Sequence, residues 1–280
     1  MRRWTDVGLK CVRKGTVKLD AYSWFYLTKT LGPGDLLEAD HPFLKYLHRG
    51  LRKNETPTPL IENLPSLPLH LSTCLTAAFL AGKACWLNFR AGTKKYEQYL
   101  YLAGKQMVKV ERLHEESPRL LLESAGGMQQ WCEDLTLKMR WNSRTPRVEL
   151  PALMMSRRRF EELAGQMDKL DLQKLTGALT ALTNDQEGSI ALARCLKAPL
   201  AQGEMRFYAK AGDAWELQTV HFLNNEHINW LIRFSANEEE DWLIATPTPR
   251  HQFQDMLHMW FRQPPEAQKE SREEVRAKSR

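Results

Sequence analysis

Two hydrophobic periods take turns along the chain. From Cys85 to Leu113 the period is two. CWLNFR, YEQYLYL and QMVKVERL are rich in aromatic and β-branched residues, and the AGTKK and Gly104-Lys105 stretches between them carry turn chemistry. That pattern predicts a three-stranded antiparallel meander. Before it the period is helical. Asp20 can accept hydrogen bonds from the free amides of a first turn, Trp24, Leu27 and Leu31 follow at helical spacing, and Gly32-Pro33-Gly34 stops the segment. HPFLKYLHRGL predicts a second helix, with Phe43, Leu44 and Leu47 on one side and Gly50 at its end. Pro57, Pro59, Pro65 and Pro68 make NETPTPLIENLPSLPLH a loop, because each proline removes an amide donor. LSTCLTAAFLAG follows as a buried helix whose small residues permit close approach. After the meander, Pro118 suits a first helical turn and predicts an apolar helix from there to Trp131.

The second half repeats this order of events. VELPALMMSRRRFEELAGQM gives a strand-like lead-in, Ser156 as a cap, and a helix; DLQKLTGALTAL and SIALARCLKAPL give two more helices. Four strands are then predicted at GEMRFYAK, WELQTVHFL, HINWLIRF and DWLIAT, with Asn224-Asn225 suited to the turn between the middle two. Pro249 opens the helix RHQFQDMLHMWF. LDAYSWFYL and MSRRRFEEL both set a capping residue (Asp20, Ser156) four positions before an aromatic (Trp24, Phe160), with a leucine three further on (Leu27, Leu163). Both halves also close on Pro-Arg before a helix ending in tryptophan, Pro118-Arg119 to Trp131 and Pro249-Arg250 to Trp260. These correspondences predict an α/β (α+β) fold of two similar halves, each an antiparallel sheet with packed helices, related by a pseudo-two-fold axis. The halves span residues 1–146 and 147–262. Residues 263–280, QPPEAQKESREEVRAKSR, form a charged tail, disordered or a frayed helix.

Composition narrows the function classes. A chain of 280 residues with 42% apolar and 26% charged residues has ordinary globular composition. The most apolar window, LSTCLTAAFLAGKACWL, is interrupted by Lys83 and falls short of the roughly 20 apolar residues of a spanning helix. The N-terminal MRRWTDVGLKCVRKGT lacks the apolar core of a secretory signal. Both predict a cytoplasmic protein with no membrane span. Five dispersed cysteines without a CxxC pair fit reduced, buried thiols. The net charge of +6 arises from 40 basic and 34 acidic residues, a mixed surface that argues only weakly for nucleic acid.

Chemistry-bearing motifs are missing. His221 and His227 flank a predicted turn without cysteines nearby, and His251 and His258 have only Asp255 between them as a possible ligand, so no metal is expected. Neither a phosphate-binding glycine loop nor a nucleophile elbow or HExxH pair is present, so no cofactor and no catalytic residues are expected. The basic run Arg157-Arg158-Arg159 is dispersed by helical geometry, since successive residues lie about 100° apart. Glu161 and Glu162 stand three or four positions away, where they temper it. Cations in a first helical turn oppose the macrodipole, which points to a favourable contact outside the helix, with an acidic partner surface as the candidate.

The layout resembles the EspG-like type VII secretion chaperone family. The resemblance lies in the Leu-Asp-x-x-x-Trp helix ending in Leu-Gly (KLDAYSWFYLTKTLG), the meander WLNFRAGTKKYEQYLYLAGKQMVKVE, and the closing strands with a Pro-led helix (NWLIRF and DWLIATPTPRHQFQDMLHMW). It implies a non-enzymatic cytoplasmic chaperone or adaptor. Its client would be a secreted helical protein of WxG, LxG or PPE type, kept soluble and delivered to the secretion machinery. In the family, clients meet a loop between neighbouring strands of the first sheet and part of the C-terminal helical region. The corresponding loop here is Gly92, Thr93, Lys94 and Lys95, and Arg157 and Arg158 are the further partner-binding candidates. The alternative is a nucleic-acid-associated basic protein, which the acidic residues among the basic ones argue against.

Overall fold

The computed structural model describes residues 10–13, 16–20, 73–74, 77–78, 81–113, 119–141, 150–211, 214–235 and 241–262. The helices expected after Asp20 and over HPFLKYLHRGL, the proline-rich loop, the expected boundary at residues 146 and 147, and the charged tail lie outside them. The fold is mixed α+β, with antiparallel strands and, among the described residues, five α-helices. Contacts divide the chain into two compact units, residues 1–84 with 97–127 and residues 85–96 with 128–280.

In the first unit, β1 (Lys10–Arg13), β2 (Thr16–Asp20), β6 (Arg119–Ser124), β5 (Gln106–Leu113) and β4 (Lys94–Ala103) are neighbours in that order. The alternation in YEQYLYL and QMVKVERL forms strands as expected, pairing Tyr99 with Val110 and Tyr101 with Val108. The expected helix from Pro118 to Trp131 does not form. RLLLES is instead a strand between β2 and β5, with Leu122 opposite both Val17 and Val110. An unbroken leucine run carries neither period, and here ladder bonds on both sides satisfy its backbone groups. Gly126, at φ 68°, and Gly127 then separate it from α1 (Met128–Lys138). Arg119 therefore begins a strand, whereas Pro249-Arg250 opens a helix as expected.

In the second unit the order is β3 (Lys83–Ala91), β8 (Ala201–Ala211), β9 (Ala214–Asn224), β10 (Asn229–Phe234), β11 (Leu243–Pro247) and β7 (Leu153–Met155). Strand geometry gives this sheet two faces. Register puts Leu223, Trp230, Ile232, Ala245, Leu243, Leu153 and Met155 on the first face. Three helices cover them: α2 (Arg157–Gln166), α3 (Leu172–Thr183) and α4 (Gln186–Lys197), which bring Phe160, Leu175, Leu179 and Leu192 into one cluster. Each helix has the cap its sequence offers. Ser156, Asp171 and Asp185 accept from the amides of Arg159, Lys174 and Gly188 respectively.

The second face carries Phe222, Phe207 and Leu231, and it is closed by α1 and α5 (Arg250–Arg262) through aromatic rings. Trp141 stacks on Phe253 at 4.0 Å and tilts against Phe222 at 5.8 Å. Phe207 meets Trp260 at 4.6 Å, and Trp131 meets Phe261 edge-on at 5.4 Å. Such pairs contribute about 0.5–1.5 kcal/mol each beyond their buried area. On the same face Gly203 lies hard against β3. A Cβ there would stand 2.4 Å from the Asn88 carbonyl oxygen and 2.6 Å from the Phe89 Cα, so only glycine lets the two strands meet.

Candidate partner-binding groove

Among the described residues, the helices on the first face pack over β7, β11, β10 and β9. Beside them, a groove of about 520 Å³ opens within the second unit. Its floor is formed by Arg90, Gln202, His221, Leu223, Ile232 and Phe234, which come from four adjacent strands. Phe160 and Ala164 of α2, Met167 of the following 3-10 turn and Leu196 of α4 make the wall, and Lys95 closes one end. The surface is mostly aliphatic and aromatic, and its only charged lining residues among those described are Arg90 and Lys95. Among the described residues no carboxylate lines it.

The turn that carries Lys95 is held from behind. Gly92 and Thr93 link β3 to β4 in two residues, with positive φ (60°) at Gly92 as a tight hairpin requires. The Gly92 amide donates to the Leu200 carbonyl at 3.0 Å, and the Leu200 amide donates to the Asn224 carbonyl at 2.8 Å. The buried Asn224 side chain accepts from the Ala201 amide at 2.9 Å and donates to the Met139 carbonyl at 2.8 Å. Next to it, α1 ends in a Schellman arrangement with Arg140 left-handed at φ 51°, the Arg140 amide reaching Leu137 and the Trp141 amide reaching Thr136. Lys94 and Lys95 project, exposed, from this anchored tip.

The arginine run stands at the other side of the groove. Ser156 Oγ donates to Asp241 at 2.6 Å, and the Arg158 amide donates to the same carboxylate at 2.8 Å. The Arg158 guanidinium also approaches Asp241, at 3.7 Å. An acidic partner surface was the expected contact outside the helix; the acid found there is instead Asp241 of the β10–β11 connection, within the same chain. These hydrogen bonds hold the Asp241 carboxyl below the usual carboxylate range. Glu161 pairs with Arg157 at 2.8 Å as expected, whereas Arg158 turns to Asp241 rather than to Glu162. The Arg157 guanidinium lies 5.2 Å from the ring centre of Phe234, a floor residue.

Of the sequence candidates, Lys95 lines the groove, and Arg157 does not line it but lies over the ring of its floor residue Phe234. Gly92 and Thr93 serve as the turn, Lys94 is exposed beside it, and Arg158 is engaged with Asp241. Sequence reasoning set aside His221, which is half-buried in the floor, edge-on to Phe234 at 5.0 Å and opposite Glu204 on β8. Burial pushes its pKa down; Glu204 pulls the other way, and Arg206 and Arg157 push it down further. Glu204 is itself ion-paired with Arg206, whose guanidinium covers the Trp86 ring at 4.9 Å.

Three of the described cysteines are core thiols outside the groove. Burial pushes the Cys132 and Cys195 thiols up to about 12 and that of Cys85 well above its ordinary value, which keeps them protonated and weakly nucleophilic. Among the described residues no group of three or more His, Cys, Asp or Glu side chains could hold a metal ion. No helix among them is long and apolar enough to cross a membrane.

No protein-family model matches the chain, and no curated protein matches it in sequence. Among solved structures it is similar to the Mycobacterium tuberculosis type VII secretion system chaperone EspG5, solved in complex with the PE25-PPE41 dimer. The TM-score is 0.56 over 87% of this chain and 94% of that one, at 10% sequence identity. At this identity the likeness is one of fold.

Proposed function

We propose that the protein is a non-enzymatic cytoplasmic chaperone or adaptor of a type VII-like secretion system. It binds a helical export client, keeps it soluble and hands it to the secretion machinery. The observation that carries this reading is the fold it shares, over most of both chains, with a type VII secretion system chaperone solved in complex with the PE25-PPE41 dimer. The groove supports it. An open, apolar channel edged by a hairpin turn and a helix suits the apolar edge of a client helix that would otherwise aggregate. The alternative of nucleic-acid binding draws less support, because Glu161 and Asp241 answer Arg157 and Arg158 within the chain.

Co-expression of the full chain with small helical proteins encoded beside it tests the reading. The expected result is a complex of fixed stoichiometry by size-exclusion chromatography with light scattering. A client that remains insoluble or elutes alone in every pairing overturns it.

A further inference from the structure

We infer that the occupant of the groove is an acidic amphipathic helix, with carboxylates on the flank that faces the β3–β4 turn. The inference deepens the reading above and takes from it only that the occupant is a helix. A helix with its side chains is about 10–12 Å across, so two turns displace on the order of 1,000 Å³. The groove holds about 520 Å³ and therefore admits one edge of such a helix, leaving its flanks outside, against the rim.

The rim is electrostatically lopsided. At the turn side, Arg90 and Lys95 line the groove, both exposed, and neither enters an ion pair among the described residues. Lys94 adds a third cation at the same tip. At the helix side, Arg157 is answered by Glu161 at 2.8 Å, so that rim is nearly neutral. Glu204, opposite the floor residue His221 on the neighbouring strand, is paired with Arg206. Complementarity thus asks for apolar residues on the entering edge, over Phe160, Leu223, Ile232 and Phe234, and for Asp or Glu three or four positions round the helix on one flank.

The test is fluorescence anisotropy with the full-length chain and three designed helical peptides. They share one leucine face and differ only in having Glu, Gln or Lys on a single flank. The Glu peptide is expected to bind about fivefold to tenfold tighter than the Lys peptide, the range given by two or three exposed charge pairs. Its advantage should shrink as salt rises from about 50 mM to about 500 mM. Arg90→Glu with Lys95→Glu is expected to invert the order, and Arg90→Gln with Lys95→Gln to flatten it, with unchanged circular dichroism in both. Equal binding of all three peptides, no binding by any, or displacement of the Glu peptide by a single-stranded oligonucleotide at lower concentration overturns the inference. A co-expressed export client whose complex survives both double variants overturns the inference and leaves the chaperone reading standing. A Glu preference with no export client in any pairing overturns the chaperone reading alone.

Discussion

The two faces of the second unit's sheet are built by opposite means. One is closed by rings, with Trp141 between Phe253 and Phe222 and Trp260 against Phe207. The other is covered by an aliphatic layer, Leu175, Leu179 and Leu192 over Trp230 and Ile232, with the groove beside it. Large flat rings in fixed mutual geometry fill a face without gaps. Three capped helices stacked at one end of a face leave, among the described residues, a groove at the other. The difference separates two duties within one sheet, since the ringed face holds the strands together and the aliphatic face supplies a surface.

Trp141→Ala puts that separation under the greatest load. The indole is 4% exposed, donates to the Thr248 carbonyl at 3.1 Å and is stacked on one side, so its loss should cost about 3–5 kcal/mol in urea denaturation. The affinity of the folded fraction for the Glu-flanked peptide should stay within about twofold. A collapse of that affinity would mean the two faces are energetically one. A smaller effect is expected from Ser156→Ala on the open side. It removes the cap of α2 and one partner of Asp241, for about 1 kcal/mol by the same measurement, with loss of peptide affinity because Phe160 and Ala164 ride on that helix. The smallest effect is a pH dependence. The folded His221 titrates below its unfolded value of about 6.5, so between those two values the unfolded chain binds more protons and stability rises with pH. Its contribution is intact above about pH 6.5 and is lost progressively on acidification below it. Comparing urea midpoints at pH 7.5 and 5.5, His221→Phe should have the smaller drop, and an identical drop in both proteins would exclude His221 as the source.

Much of this architecture was legible because local pattern and tertiary role agree. Tyr99 and Tyr101 alternate and lie in a strand; Ser156 precedes an amphipathic segment and caps it. RLLLES was misread because three leucines in a row are silent about period, and the deciding influence is the pair of strands that flank it, one of them about a hundred residues earlier in the chain. Asn224 was read as a turn residue, yet it is fully buried and joins Ala201 to Met139, while Asn225 makes the turn by accepting from the amides of His227 and Ile228. The candidate site was half legible. Lys95 and Arg157 came from separate arguments, and only the fold sets one in the groove lining and the other over the floor residue Phe234. Arg90, Phe160, Leu196 and His221 carry no linear signal of that neighbourhood, because each belongs to a different element.

The Gly92 tether has a consequence for how partner choice can change. With its amide fixed to Leu200 and its neighbours braced through Asn224, the β3–β4 tip has little backbone freedom left to lose on association. On the function proposed above, its lysines would work like interchangeable keys on a rigid post: replacing the side chains at positions 94 and 95 would re-address the surface without rebuilding the support.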